Sequence, residues 1–187
     1  AFSQNFVYKF KELNFPLIVL LVVFVYVWLV NAWICDDAYI TFRTVDNFIN
    51  GYGLTWNPGE RVQAYTHPLW MFIVSFFYFF TNEVFLTSLV LTLLLSFAAV
   101  YFGMMKNAVN RFNAVFGMII LIFSKAFIDY TSSGLENPLT FLLMAIFVYI
   151  FFKYQRGKKM FWLSMITALG MLRSEERRVG KECVSEC

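Results

Sequence analysis

The stretch HPLWMFIVSFFYFF, residues 67–80, carries no charge beyond its single histidine, and whether it crosses a bilayer decides how the rest of the chain is threaded. At a helical rise of ~1.5 Å per residue it reaches about 21 Å, short of the ~30 Å hydrocarbon layer, so its length suits a helix lying in the membrane plane better than a span. The surrounding sequence is membrane-like: 60% of the 187 residues are hydrophobic, 21% are aromatic and 14% are charged, with 24 phenylalanines. Such composition, in long apolar runs separated by short polar loops, predicts an all-α membrane protein with several transmembrane helices.

Outward from this stretch, the uncharged runs from Asn14 to Cys35 and from Val84 to Met105 are each long enough to span. A third candidate runs from Phe112 to Tyr130, with Lys125 and Asp129 near its end, and a fourth from Asn137 to Phe152, started by Asn137 as cap and Pro138 in the first turn. A fifth opens at Met160. If residues 67–80 do not cross and the N-terminus with Lys9 and Lys11 is cytoplasmic, then Lys106, Arg111, Lys153, Arg156, Lys158 and Lys159 all fall inside, and only Arg43, Arg61 and Lys125 fall outside, as the positive-inside rule requires. A crossing there would turn Lys106 and Arg111 outward. The non-crossing arrangement collects Asp36, Asp37, Asp46, Glu60, Glu83, Asp129 and Glu136 on the extracytoplasmic side, predicting a carboxylate-lined site formed by residues 34–83 with residues 131–137.

The tail from Arg173, RSEERRVGKEC, resembles the translated read-through of a sequencing adapter and is left out of the fold reading, giving one domain over residues 1–172 and a non-native tail over 173–187. Two of the three cysteines lie in that tail, so Cys35 has no partner for a disulfide. The start without Met and the stop within an apolar segment read as a fragment, an N-terminal part of a longer domain.

In the first outer loop Ala38, Phe42, Val45 and Ile49 recur at helical spacing, with Arg43, Asp46, Asn47 and Asn50 elsewhere on the wheel, which predicts an amphipathic helix on the bilayer surface. Gly51 ends it, NPGE from Asn57 makes a turn, and Thr66 caps the helix that begins at His67. One of the adjacent Asp36 and Asp37 reads as the cap of the amphipathic helix. The second gains little from capping and is repelled by its neighbour, so a functional role, as general base or as an electrostatic site, is the better reading.

The run DDAYITFRTVDNFINGYGLTWNPGERVQAYTHPLW, Asp36 to Trp70, followed about 65 residues later by SSGLENPL, resembles the GT-C polytopic membrane glycosyltransferases, particularly the arabinofuranosyltransferase-like branch. The resemblance implies a GT-C-like fold with membrane-parallel helices in the first extracytoplasmic loop, and a sugar moved from a polyprenyl-phosphate donor to a glycan, lipid or protein acceptor. It makes Asp36 and Asp37 the catalytic candidates, as base or as stabiliser of the sugar's developing positive charge, without ranking them. Glu136 would bind acceptor or sugar hydroxyls, against the alternative of a solvated loop acid. Arg43 and Lys125 are the outer cations for the lipid phosphate, though Lys125 also reads as a snorkelling interfacial cation. His67 would contact substrate or a metal, against a structural place beside a helix start. Tyr65, Trp56 and Trp70 would stack on a sugar, against the ordinary enrichment of aromatics at this depth.

No glycine-rich nucleotide loop is present, so a nucleotide-sugar or ATP-dependent reaction has no support, and the donor that the resemblance implies needs no nucleotide because its own lipid phosphate is the leaving group. No paired His or Cys spacing marks a structural metal site, and a divalent metal cofactor stays open. The basic clusters lack the aromatic interleaving of a nucleic-acid surface, and no nucleic-acid partner is expected. The reading is an integral plasma-membrane glycosyltransferase with a cytoplasmic N-terminus and an extracytoplasmic active site. The alternatives are a transporter or lipid-flipping protein with an outer carboxylate site, which would carry charges or breakers near the midplane, and a purely structural membrane subunit.

Overall fold

A computed structural model describes residues 2–59, 67–154 and 156–172, and among these every regular element is helical. The order is α1 Phe2–Val30, α2 Asp36–Ile49, α3 Pro68–Thr81, α4 Val84–Val100 continued by a π-helical segment Tyr101–Lys106, α5 Arg111–Phe123, α6 Lys125–Ser132, α7 Asn137–Lys153 and α8 Arg156–Met171. The proposed tail, residues 173–187, lies outside the described residues, as do Tyr65, Thr66, Glu60 and Arg61.

Among the described residues one continuous helical stretch, Val84–Lys106, is long and apolar enough to cross a membrane, while Phe15–Val30, Pro68–Thr81 and Asn137–Lys153 are apolar but shorter. The predicted first span closes early, at Val30, where the Asn31 side chain donates to the Val27 carbonyl at 2.8 Å and residues 32–35 leave the helix. The predicted third span is broken: α5 and α6 meet at 72°, hinged on Ser124. Ser124 has extended backbone (ψ 99°), and its hydroxyl accepts the Phe127 N–H at 3.3 Å, so it ends one helix and caps the next. Serine competes in this way with helical backbone bonds, which an apolar run does not reveal.

Helix starts and stops follow local chemistry elsewhere. Asn82 stops α3 in the left-handed conformation (φ 51°), which asparagine tolerates better than most residues. Glu83 then starts α4, its carboxylate accepting from the Phe85 and Leu86 amides at 3.2 and 2.6 Å. Gly51, at φ 82°, ends α2 where glycine was expected to end it. Glu136 holds the cap position of α7 and Asn137 is its first residue, so the helix starts one residue earlier than a cap at Asn137 would set it.

Two apolar clusters hold the bundle. Leu17, Phe24 and Trp28 of α1 meet Val100, Ala114, Met118 and Ile128 from α4, α5 and α6. Val45 of α2 meets Trp70, Met71 and Val74 of α3 and Leu91 of α4. The second cluster corrects the placement of α2: its predicted apolar face does exist, with Ala38, Phe42 and Val45 buried, but it packs on α3 instead of facing a bilayer. Helix α3 in turn exposes Phe72, Phe76, Phe77, Phe79 and Phe80, and further phenylalanines are exposed on the other helices.

The π-helical continuation of α4 packs beside α7, with the Phe102 and Tyr149 rings 5.9 Å apart and the Asn107 amide donating to the Ala145 carbonyl at 2.9 Å, while Ser96 of α4 reaches the Thr131 carbonyl of α6 at 3.5 Å. Lys106 and Lys153, in the last turns of the α4 continuation and of α7, lie over the rings of Tyr101 and Tyr149, while Glu83 and Glu136 hold the cap positions at the starts of α4 and α7.

Candidate functional site at the acidic pole

The acidic pole is built where the two outer stretches of the sequence meet. The cap position of α2 belongs to Cys35, whose backbone is extended, so Asp36 and Asp37 are the first two residues inside the helix and neither occupies the cap expected for one of them. Both are exposed, at the positive end of the α2 dipole, where negative charge is favoured. Burial, reinforced by the charge of Asp37, pushes the Cys35 thiol up, which disfavours the reactive thiolate.

Against this helix start sits the turn Ser133–Glu136. The Cys35 amide donates to the Ser133 carbonyl at 3.0 Å, and the Trp70 indole donates to the Gly134 carbonyl at 3.2 Å. Gly134 has φ 80°, and a Cβ on it would lie 2.9 Å from Ile34 Cδ1 and 3.4 Å from Ala38 Cβ. Both conformation and space call for glycine there. The turn thus locks three elements together: the chain leaving α1, the first turn of α2, and α3.

Two residues beyond Gly134, Glu136 is 7% exposed. Its Oε1 lies 3.2 Å from His67 Nδ1, and its Oε2 is buried without a hydrogen-bond partner among the described residues. His67 holds the cap position of α3 and Glu136 that of α7, so the pair ties two helix starts from distant parts of the sequence. Sequence reading singled out both residues but gave no signal that they touch.

Other sequence candidates fall elsewhere. Arg43 lies over the Trp56 ring at 4.6 Å, with Nε donating to the Trp56 carbonyl at 3.0 Å and Nη2 to Asn57 Oδ1 at 2.8 Å; these bonds fasten the loop after α2. Asn47 assists, its amide reaching the Thr55 and Trp56 carbonyls at 2.9 and 3.0 Å. Lys125 is exposed at the first position of α6. Trp70 is fully buried and cannot stack on a sugar, which corrects that expectation. Tyr65 lies outside the described residues.

A polar cluster that the sequence only half displays lies on the exposed face of α2. The Tyr78 hydroxyl donates to Asp46 Oδ1 at 2.6 Å, and the Asn50 amide donates to the same oxygen at 3.0 Å. The hydrogen bond to Asp46 pushes the Tyr78 phenol up to about 12. Among the described residues no group of three or more His, Cys, Asp or Glu side chains could hold a metal ion.

Comparison with known proteins adds a local likeness. No family model and no solved structure matches the chain. A 44-residue stretch is 46% identical to the terminal beta-(1->2)-arabinofuranosyltransferase of Corynebacterium glutamicum, and a stretch of the same length is 43% identical to the enzyme of that name from Mycobacterium tuberculosis. Each match spans 24% of this chain and only 6% or 7% of the relative's length.

Proposed function

We propose that this chain forms the acidic face of an integral-membrane glycosyltransferase that moves a sugar, a pentose such as arabinofuranose, from a polyprenyl-phosphate donor to an extracytoplasmic glycan, lipid or protein acceptor. The observation that carries the reading is the meeting of the two outer stretches at the Cys35–Ser133 bond, which puts Asp36, Asp37 and Glu136 at one pole. The likeness to enzymes named arabinofuranosyltransferases supports the chemistry and the sugar class. The lysines in the last turns of the α4 continuation and of α7, segments that touch through Phe102 and Tyr149, support the orientation, with the acids on the extracytoplasmic side and the membrane-parallel α3 turning its phenylalanines toward lipid.

In this reading several further helices cross the membrane beside Val84–Lys106. An apolar groove of about 480 Å³ between α1 and α4, lined by Ile18, Leu21, Val22, Val25, Leu29 and Phe97, suits an isoprenoid chain. The donor's phosphate is the leaving group, with Lys125 available to its charge. An exposed carboxylate at Asp36 or Asp37 takes the proton of the acceptor hydroxyl or faces the positive charge that develops on the sugar.

The test uses the full natural chain in nanodiscs, with labelled polyprenyl-phosphoryl arabinofuranose and a crude cell-envelope glycan. One of Asp36→Asn and Asp37→Asn should lower transfer by roughly 10²–10⁴-fold, the usual worth of a positioned base, without lowering the melting temperature. Transfer by wild type that neither substitution changes would remove the aspartates from the mechanism. No transfer at all, together with acid-dependent ion or lipid uptake, would favour the transporter reading.

A further inference from the structure

The buried carboxylate of Glu136 has one oxygen in use and one idle. Oε1 faces His67 Nδ1, while Oε2 is shielded from water with nothing donating to it among the described residues. A carboxylate is an acceptor-only group when ionised, and leaving half of it unpaired in a buried place is costly unless something arrives to use it. The idle oxygen is held still. The turn carrying it is fixed by the Cys35 and Trp70 bonds and by the glycine that only this packing accepts, and His67 fixes the other carboxylate oxygen from the start of α3. A rigid, buried, unpaired acceptor is the arrangement that discriminates strongly between a ligand with a hydroxyl and one without it.

We infer that Glu136 Oε2 is the receptor for one hydroxyl of a substrate sugar, with His67 acting as the positioning residue that orients the carboxylate. This deepens the glycosyltransferase reading and rests on it. The bond is an O–H of the sugar donating to the carboxylate, and no covalent step is involved. Glu136 thereby has a different task from Asp36 and Asp37, which are exposed at the helix start: it selects, and they act on the reacting atoms. The hydroxyl can come from the donor sugar or from the acceptor, and one experiment separates them.

That experiment measures transfer by the full natural chain in nanodiscs with two substrate series. In one the polyprenyl-phosphoryl arabinofuranose donor lacks single hydroxyls, and in the other the acceptor glycan does. Wild type is compared with Glu136→Gln, and with Glu136→Asp as the second variant should the first fail to fold, folding being read from the melting temperature. Glu136→Gln should raise KM for the intact substrate ten- to a hundred-fold. For one mono-deoxy substrate the wild type should already show that rise and the substitution should add nothing, because the partner is gone. The series containing that substrate names the source. Equal effects on every substrate, or none, would overturn the inference while leaving the glycosyltransferase reading intact. In parallel, saturation-transfer NMR reads binding of methyl arabinofuranoside and its mono-deoxy forms without requiring turnover. Binding that depends on one hydroxyl and on Glu136, with no transfer by wild type, would sustain the site and sink the transferase; absence of both would sink both.

Discussion

At the scale of single residues, Tyr78 offers the most direct check on the electrostatics of α2. Its phenol donates to Asp46, and that bond, together with the nearby negative charge, opposes loss of the proton and lifts the phenol from 10.0 to about 12. A folded pKa above the unfolded one means that the bond's stabilisation is complete below pH 10 and is lost as pH rises through about 12. In a spectrophotometric titration, wild type should show one tyrosine ionising late; Asp46→Asn should bring it back toward 10, and Tyr78→Phe should delete that step. A titration unchanged by Asp46→Asn would show that the bond does not form. The sequence displayed half of this cluster, because Asp46 and Asn50 stand four apart on a helix and so must be neighbours. Tyr78 was invisible, since helical spacing says nothing about which side chain a second helix presents. Glu136 and His67 repeat the lesson: each could be picked by residue type, but their contact depends on a left-handed turn at Gly134 that no local pattern announces.

At the scale of elements, the start of α4 shows a carboxylate serving as a cap where serine or aspartate is more usual. Glu83 accepts from two successive amides and so satisfies two of the donors that a helix start leaves open. Glu83→Ala should cost about 1 kcal/mol in stability, with Glu83→Gln costing less, measured by thermal unfolding in detergent. Equal stability of all three would mean that the amides are satisfied by water instead. Periodicity located α2 and its buried face, whereas length does not separate α3 from the predicted first and fourth spans, since among the described residues Phe15–Val30 and Asn137–Lys153 are, like Pro68–Thr81, shorter than a full span. What periodicity lacks is the identity of the partner: the face of α2 assigned to lipid packs on Trp70, Met71 and Val74, for a lipid surface and an apolar helix look alike from Ala38, Phe42 and Val45. Hydropathy likewise ran through Ser124, because one hydroxyl barely moves a window average even where it turns the helix by 72°.

At the scale of the whole molecule, counting charges on loops predicts two unlike poles, and Lys106 and Lys153 stand in the last turns of the α4 continuation and of α7 while Glu83 and Glu136 hold the starts of α4 and α7. The closure of the acidic pole, by contrast, hangs on a few long-range bonds. Among them the Cys35 amide is a natural reporter. Its hydrogen is covered by the Ser133 carbonyl, so exchange with deuterated solvent requires the two outer stretches to part. The rate at that one amide therefore clocks how often the pole opens. Mass-resolved exchange should find it slow in wild type and faster in Gly134→Ala, where the added methyl pushes on Ile34. A sugar that binds the closed pole should slow it further, in proportion to occupancy, which makes a backbone hydrogen on the first stretch a gauge of events on the second.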